Sequence, residues 1–148
     1  MGGSSAGRPS PKVRSSAPDG VTLVLDAGGL STLASQRSRL RELRRRGLWP
    51  GQVPAVVLTE ALTGDHRRDF HTNRLLRACQ VRDVNETQAR EAGRLRAATD
   101  RAGTISAVDA IVVAFAGARP DAIVVTSDPL DLRALAEHAA SPISILGV

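Results

Sequence analysis

Short apolar runs separated by longer stretches of helical spacing constrain this 148-residue chain more than any other feature. The first run, Val21–Asp26, is continuous and β-branched, as in a strand buried on both faces. Others lie at Val53–Leu58, Val81–Val84, Ala122–Thr126 and Ile143–Leu146. From Leu30 to Arg46 the leucines at 30, 33, 40 and 43 fall at roughly helical spacing, and Gly47 stops the stretch. Val53–Leu58 leads straight into a helix that holds Glu60. Further helices are expected from Arg67 to Cys79, from Glu86 to Ala102 with Gly103 as its end, and from Pro129 to His138. Ser106 to Ala118 is apolar nearly all round, so that helix should be buried. Strands alternating with helices predict an α/β fold: a three-layer α/β/α sandwich around a central, mainly parallel five-stranded sheet. Residues 1–20, rich in Gly, Ser and Pro, read as a flexible tail, which leaves one domain over residues 21–148.

The core must be aliphatic, because apolar residues make up 42% of the chain and aromatics only 2%. No run approaches the ~20 apolar residues that span a bilayer, and no secretory signal stands at the N-terminus. Cys79 is the single cysteine, so no internal disulfide forms and a cytoplasmic location is expected. Its simplest role is that of a small buried apolar residue. The net charge is +5, and Lys12 is the only lysine. Arginine forks suit phosphate, so a polyanionic partner fits this balance. Arg37, Arg39, Arg41, Arg44, Arg45 and Arg46 crowd one segment with only Glu42 opposing them, although a solvated helix face also explains such a run.

The parallel fold ties sequence position to place. Strands end, and the helices after them begin, at the sheet's carboxyl edge, where open α/β sheets bind ligands. Asp26 and Asp128 fall just past strand ends, and Glu60 and Asp109 in first turns of helices. Asp131, one turn beyond Asp128, reaches the same place, whereas Asp83, Asp100 and Asp121 are expected at the opposite edge or in loops. Each acid also has a structural role open to it. Ser106-x-x-Asp109 has the form of a capping box. Asp128-Pro129 reads as an N-cap followed by proline at the first helical position. Asp26 suits a turn and Glu60 a solvated first turn. Together, four carboxylates at one edge repel one another, and a divalent cation relieves that repulsion. Carboxylate and water oxygens suit Mg²⁺ or Mn²⁺. His66, His71 and His138 are scattered and form no zinc set. An all-carboxylate site of this kind is typical of phosphodiester chemistry. No phosphate-binding glycine loop or dinucleotide fingerprint is present.

Four segments carry a resemblance: Val24-Leu-Asp-Ala-Gly28, Val56-Val-Leu-Thr-Glu60, Ser106-Ala-Val-Asp-Ala-Ile-Val-Val-Ala114 and Val125-Thr-Ser-Asp-Pro-Leu-Asp-Leu132. In this order they resemble the acidic motifs of PIN-domain nucleases, most of all the ribonuclease toxins of VapBC toxin–antitoxin pairs. The likeness covers nearly all of residues 21–148. It implies an α/β/α sandwich, Mg²⁺- or Mn²⁺-dependent endonucleolytic cleavage of RNA, a homodimer, and an antitoxin that blocks the site. Asp26, Glu60, Asp109 and Asp128 take the family's acidic positions, and Asp131 a secondary one. One position departs: Gly28 stands where the family usually has Ser or Thr, and Thr126 or Ser127 is placed to supply a hydroxyl nearby.

A metal-dependent ribonuclease is therefore expected, with Asp26, Asp109 and Asp128 holding the ion. Glu60 would bind it or orient the attacking water, and arginines near the rim, Arg67 and Arg68 or some of those between Arg37 and Arg46, would hold RNA phosphates. Two alternatives compete. One is a catalytically silent PIN-like domain that binds RNA or protein. The other is a doubly wound signalling or binding domain whose acids only cap helices. A receiver domain, which also places acids at this edge, needs a lysine late in the chain, and residues 21–148 contain none.

Overall fold

The computed structural model describes residues 20–148; all but Gly20 of the expected tail lies outside the described residues. Five strands form one sheet: β1 (Thr22–Leu25), β2 (Gln52–Pro54), β3 (Gln80–Arg82), β4 (Ala122–Thr126) and β5 (Ser144–Gly147), in the order β3-β2-β1-β4-β5. All neighbours pair in parallel. Seven α-helices connect them: α1 (Ala27–Ser35), α2 (Arg37–Arg45), α3 (Leu58–Ala61), α4 (Phe70–Leu76), α5 (Glu86–Ala98), α6 (Ala107–Gly117) and α7 (Pro129–Ala136). Helices α2, α3 and α4 cluster with α1, while α5 and α7 cluster with α6. From β1 the strand order steps one way to β3 and, after a long crossover, the other way through β4 to β5. Right-handed crossovers place the two helix groups on opposite faces of the sheet. The α/β/α sandwich expected from the alternation is therefore present, with a sheet that is wholly parallel.

The core is aliphatic as composition demanded. Leu23, Val24, Leu25, Val53, Val124 and Val125 line it from the sheet, and Leu30, Leu33, Leu95, Leu132 and Leu135 from the helices. Helix α6 buries Ala110 and every residue from Val112 to Ala116, so it is the central helix that its apolar character implied. Phe115 is fully buried there, and Arg119 stacks over its ring at 3.3 Å from the centroid.

Four of the boundaries that differ from expectation have a clear local cause. The Leu30–Arg46 stretch is two helices, because Gln36 leaves helical geometry at φ −116°, ψ 83° between α1 and α2. Ser35 Oγ and the Gln36 amide both bond to the Thr32 carbonyl and close α1 there. The Val53–Leu58 run is strand only to Pro54; proline cannot donate to a ladder, and the chain turns into a 3-10 turn over Ala55–Val57 that continues into α3. The helix expected from Arg67 begins at Phe70, with residues 66–69 in a turn. Helix α5 ends at Ala98, before Gly103, because Asp100 takes the left-handed conformation at φ 54°. Asn85 and Gln88 close a capping box at its start, a signal that an S/T-led search passes over. Cys79 is half-buried, and burial pushes its thiol up to about 12, so it is an unreactive apolar filler.

Truncating the centre of α6 tests the core. Phe115→Ala should lower the free energy of unfolding by about 3–5 kcal/mol in urea titration, since the ring has no solvent to fall back on.

Candidate functional site

The site is built where β1 and β4 lie side by side. Leu25 pairs with Val125, so the residues that follow each strand emerge together. Asp26, the first residue beyond β1, caps α1: its Oδ1 accepts from the Gly29 amide at 2.7 Å. The chain can turn this sharply because of the next two glycines. A Cβ at Gly29 would strike the Val125 carbonyl oxygen, and one at Gly28 would strike Ser127 Oγ. Helix α1 thus starts in direct contact with the end of β4. Asp26 is 93% withdrawn from solvent, and Thr126, itself buried, gives it a side-chain hydrogen bond.

Asp109 enters from the opposite helix group. Ser106 is the N-cap of α6 and accepts from the Asp109 amide at 3.0 Å, which places the Asp109 carboxylate in the first turn. Asp128 occupies the N-cap position of α7 with Pro129 after it, but its side chain makes no capping bond. The Thr126 hydroxyl accepts from the Asp128 amide at 3.1 Å, and the Asp128 carboxylate makes no ion pair to a described residue. The expected capping roles are therefore exchanged: Asp26, read as a turn residue, is a true side-chain cap, whereas Asp128 is not. Glu60 is exposed on the four-residue helix α3.

Electrostatics tie the acids into one group. Burial raises the Asp26 carboxyl above its ordinary value, and the charge of Asp128 adds to the rise. Asp109 is pushed up to about 6, first by burial, then by Asp26, with smaller contributions from Glu60 and Asp131. Among the described residues, none of Asp26, Glu60, Asp109 and Asp128 makes an ion pair; only Asp131 does, with Arg101 at 2.9 Å. Asp131 thus reaches the site as expected but is held by an arginine that sequence reasoning had not connected to it. The α5–α6 loop that carries Arg101 is itself fixed by Arg96, which donates to the carbonyls of Ile105 and Ala102. Only the fold brings residues 101 and 131 together, so no sequence signal pointed to the pair.

The donor set suits a hard divalent cation: oxygen ligands only, partly buried, mutually repelling and without a cationic side chain on the central four. The side chains are not drawn into a finished cage, and among the described residues no three acidic, histidine or cysteine side chains stand close enough to enclose an ion.

Other candidates fall away from this centre. Arg67 and Arg68 are exposed in the turn after α3, their amides bound to Asp65, with no contact to the acids. Of the α2 arginines, Arg45 and Arg46 fork onto Glu42. Arg37, Arg41 and Arg44 line a groove shared with His71 and Arg74 over Leu33, Leu40 and Leu75. Asp83 and Asp121 lie in loops, as expected. Asp69 is a buried acid that the sequence did not single out. Its carboxylate accepts from the Thr63 amide, the Thr63 hydroxyl and the Gly64 amide, and the Thr63 amide first of all holds it below the ordinary carboxylate range. It is a loop clasp with its oxygens already used.

No protein-family profile matches the sequence, and no curated protein sequence is similar to it. Solved structures are similar in fold. DNA-bound VapBC from Salmonella typhimurium superposes with a TM-score of 0.60 at 19% identity, over 84% of this chain and 98% of that one. VapBC2 from Rickettsia felis, bound to a DNA fragment from its promoter, gives 0.58 at 13% identity over 84% and 98%. A toxin–antitoxin complex from Klebsiella pneumoniae gives 0.57 at 19% identity over 74% and 89%. The chain therefore shares the α/β/α fold of these structures.

The raised Asp109 carboxyl has a consequence for stability. Its folded-state value lies above its unfolded one, so the protonated form stabilises the fold at low pH, and this contribution is lost as pH rises through about 6. In metal-free buffer at pH 7.5, Asp109→Asn should therefore be more stable than the parent by ~1–2 kcal/mol. The gap should close near pH 4, as followed by thermal unfolding across that pH range.

Proposed function

We propose that this protein is a metal-dependent endoribonuclease, the toxin of a toxin–antitoxin pair. The observation that carries the proposal is that Asp26, Glu60, Asp109 and Asp128 come from four separate elements, that the charges of Asp26 and Glu60 act on Asp109 and that of Asp128 on Asp26, and that among the described residues none of the four makes an ion pair. Asp26, Asp109 and Asp128 would hold Mg²⁺ or Mn²⁺, with Asp131 as a further acid once Arg101 releases it. When bound, the ion activates water for attack on phosphorus and stabilises charge on the phosphoryl oxygens. Glu60, exposed on α3, would bind the ion or orient the attacking water. Asp26 is held in place by its cap to α1 and by Thr126, and Asp109 by Ser106, so both carboxylates are positioned before any ion arrives. The arginine-rich surface, Arg67 and Arg68 included, would attract the RNA backbone.

The fold neighbours are toxin–antitoxin assemblies, which supports an antitoxin partner; the toxin itself would be a homodimer in the cytoplasm. The apolar groove rimmed by Arg37, Arg41, Arg44 and Arg74 supports a protein partner that brings acidic and apolar side chains. No helix among the described residues is long and apolar enough to cross a membrane. A second reading, a silent PIN-like binding domain, draws on Gly28, which stands where the resemblance implies Ser or Thr, and on the lack of a closed ion cage among the described residues.

Two measurements separate these readings. With Mn²⁺ and a panel of RNAs, the protein should cleave, and Asp109→Asn or excess EDTA should reduce cleavage at least on the order of 100-fold, more than loss of a supporting residue costs. Cleavage that survives both changes would sink the nuclease proposal. Thermal unfolding should shift upward with Mn²⁺ concentration, by about 2–3 kcal/mol at a hundredfold excess over Kd. A metal-independent melting curve with salt-sensitive RNA binding would favour the silent domain.

A further inference from the structure

Gly28 and Ser127 occupy one volume between them. A Cβ built on Gly28 would overlap Ser127 Oγ, with Ser127 Cβ 3.1 Å and its backbone nitrogen 3.2 Å away. The Ser127 hydroxyl therefore fills the space beside the first turn of α1 that any larger residue at position 28 would take. It stands at the carboxyl edge, next in sequence to Thr126, which bonds Asp26, and to Asp128.

Accounting for hydroxyl hydrogens at this edge singles out Ser127. Thr126 gives its hydrogen to the Asp26 carboxylate or the Asp128 carbonyl. Ser106 shares a hydrogen bond with the Asp109 carboxylate. Thr59, beside Glu60, donates to the Val56 carbonyl at 2.6 Å. Arg101 is committed to Asp131. Ser127 is exposed, and its hydroxyl makes no hydrogen bond to a described residue. The ionised acids around it only accept hydrogen bonds, and so do the oxygens of a phosphodiester. A phosphate brought among carboxylates needs a donor, and the Ser127 hydroxyl has one to give.

We propose that Ser127 donates a hydrogen bond to a non-bridging oxygen of the RNA phosphate held at the carboxylate cluster, and that glycine stands at position 28 to leave room for that hydroxyl. Ser127 acts on the phosphate and not on the ion. The inference rests on the nuclease reading, and the test keeps their failures apart.

The test compares Ser127→Ala, Gly28→Ala and the exchange Gly28→Ser/Ser127→Gly. Removing the donor should lower cleavage of a single-stranded RNA in Mn²⁺ about tenfold, the size of one hydrogen bond to a charged group. RNA affinity, read by fluorescence anisotropy in the non-cleaving Asp109→Asn background, should fall by a similar factor. The Mn²⁺-induced thermal shift should stay as in the parent, which a merely structural defect would not allow. Gly28→Ala should behave like Ser127→Ala, because its Cβ evicts the hydroxyl, and the exchange variant should recover most of the loss. Normal cleavage and RNA affinity in Ser127→Ala, or a lost Mn²⁺ shift in that variant, overturns the inference alone. A parent protein that neither cleaves RNA nor responds to Mn²⁺ overturns the nuclease reading and this inference with it.

Discussion

The pairing of β1 with β4 is the constraint on which the rest of the site depends. These strands are consecutive in space but separated in sequence by nearly a hundred residues, and their register brings Leu25 opposite Val125. The strand order reverses direction between them, so the helices that follow leave on opposite faces and a crevice opens at their carboxyl ends. Asp26 and the Thr126–Asp128 segment enter that crevice directly. The glycine pair at 28 and 29 lets α1 begin against the β4 terminus, because a Cβ at Gly29 would meet the Val125 carbonyl. Loosening this contact would separate Asp26 from Thr126, its buried hydrogen-bond donor.

The acids are costly to the fold and are held by local devices that make the cost bearable. Asp26 uses one oxygen to cap α1, and Ser106 supports Asp109 at the start of α6, where the helix dipole favours negative charge. Even so, burial and mutual repulsion raise both carboxyls. Contrast Asp69, which is lowered, because three donors from Thr63 and Gly64 satisfy it. A buried acid with its donors is a clasp, and a group of acids without counter-charges is poised for a ligand that brings positive charge.

Much of the architecture was legible in the sequence, because a parallel sheet buries its strands on both faces and writes them as β-branched runs. Val21–Leu25 and Ala122–Thr126 are such runs, and the buried character of α6 is explicit in Ala110–Ala116. Placement of the four acids at one edge followed from that order alone. Legibility failed where a single backbone conformation or a single missing donor decides: Gln36 breaking one leucine-spaced stretch, Pro54 ending β2, and Asp100 ending α5 in place of Gly103. Periodicity averages over several residues and does not register such points.

The sequence by itself determined the alternation of strand and helix, the aliphatic core and the acids at the carboxyl edge, since each is a property of neighbouring residues or of chain order. Only the tertiary structure decided which acids share a field and which are neutralised. Arg101 joins Asp131 across 30 positions, Thr126 supports Asp26 across the sheet, and Ser127 takes the volume that Gly28 leaves open. Those are contacts between residues distant in the chain, and their energies depend on separations of a few tenths of an ångström. No local pattern encodes such distances; the packing of α1 against the end of β4 sets them.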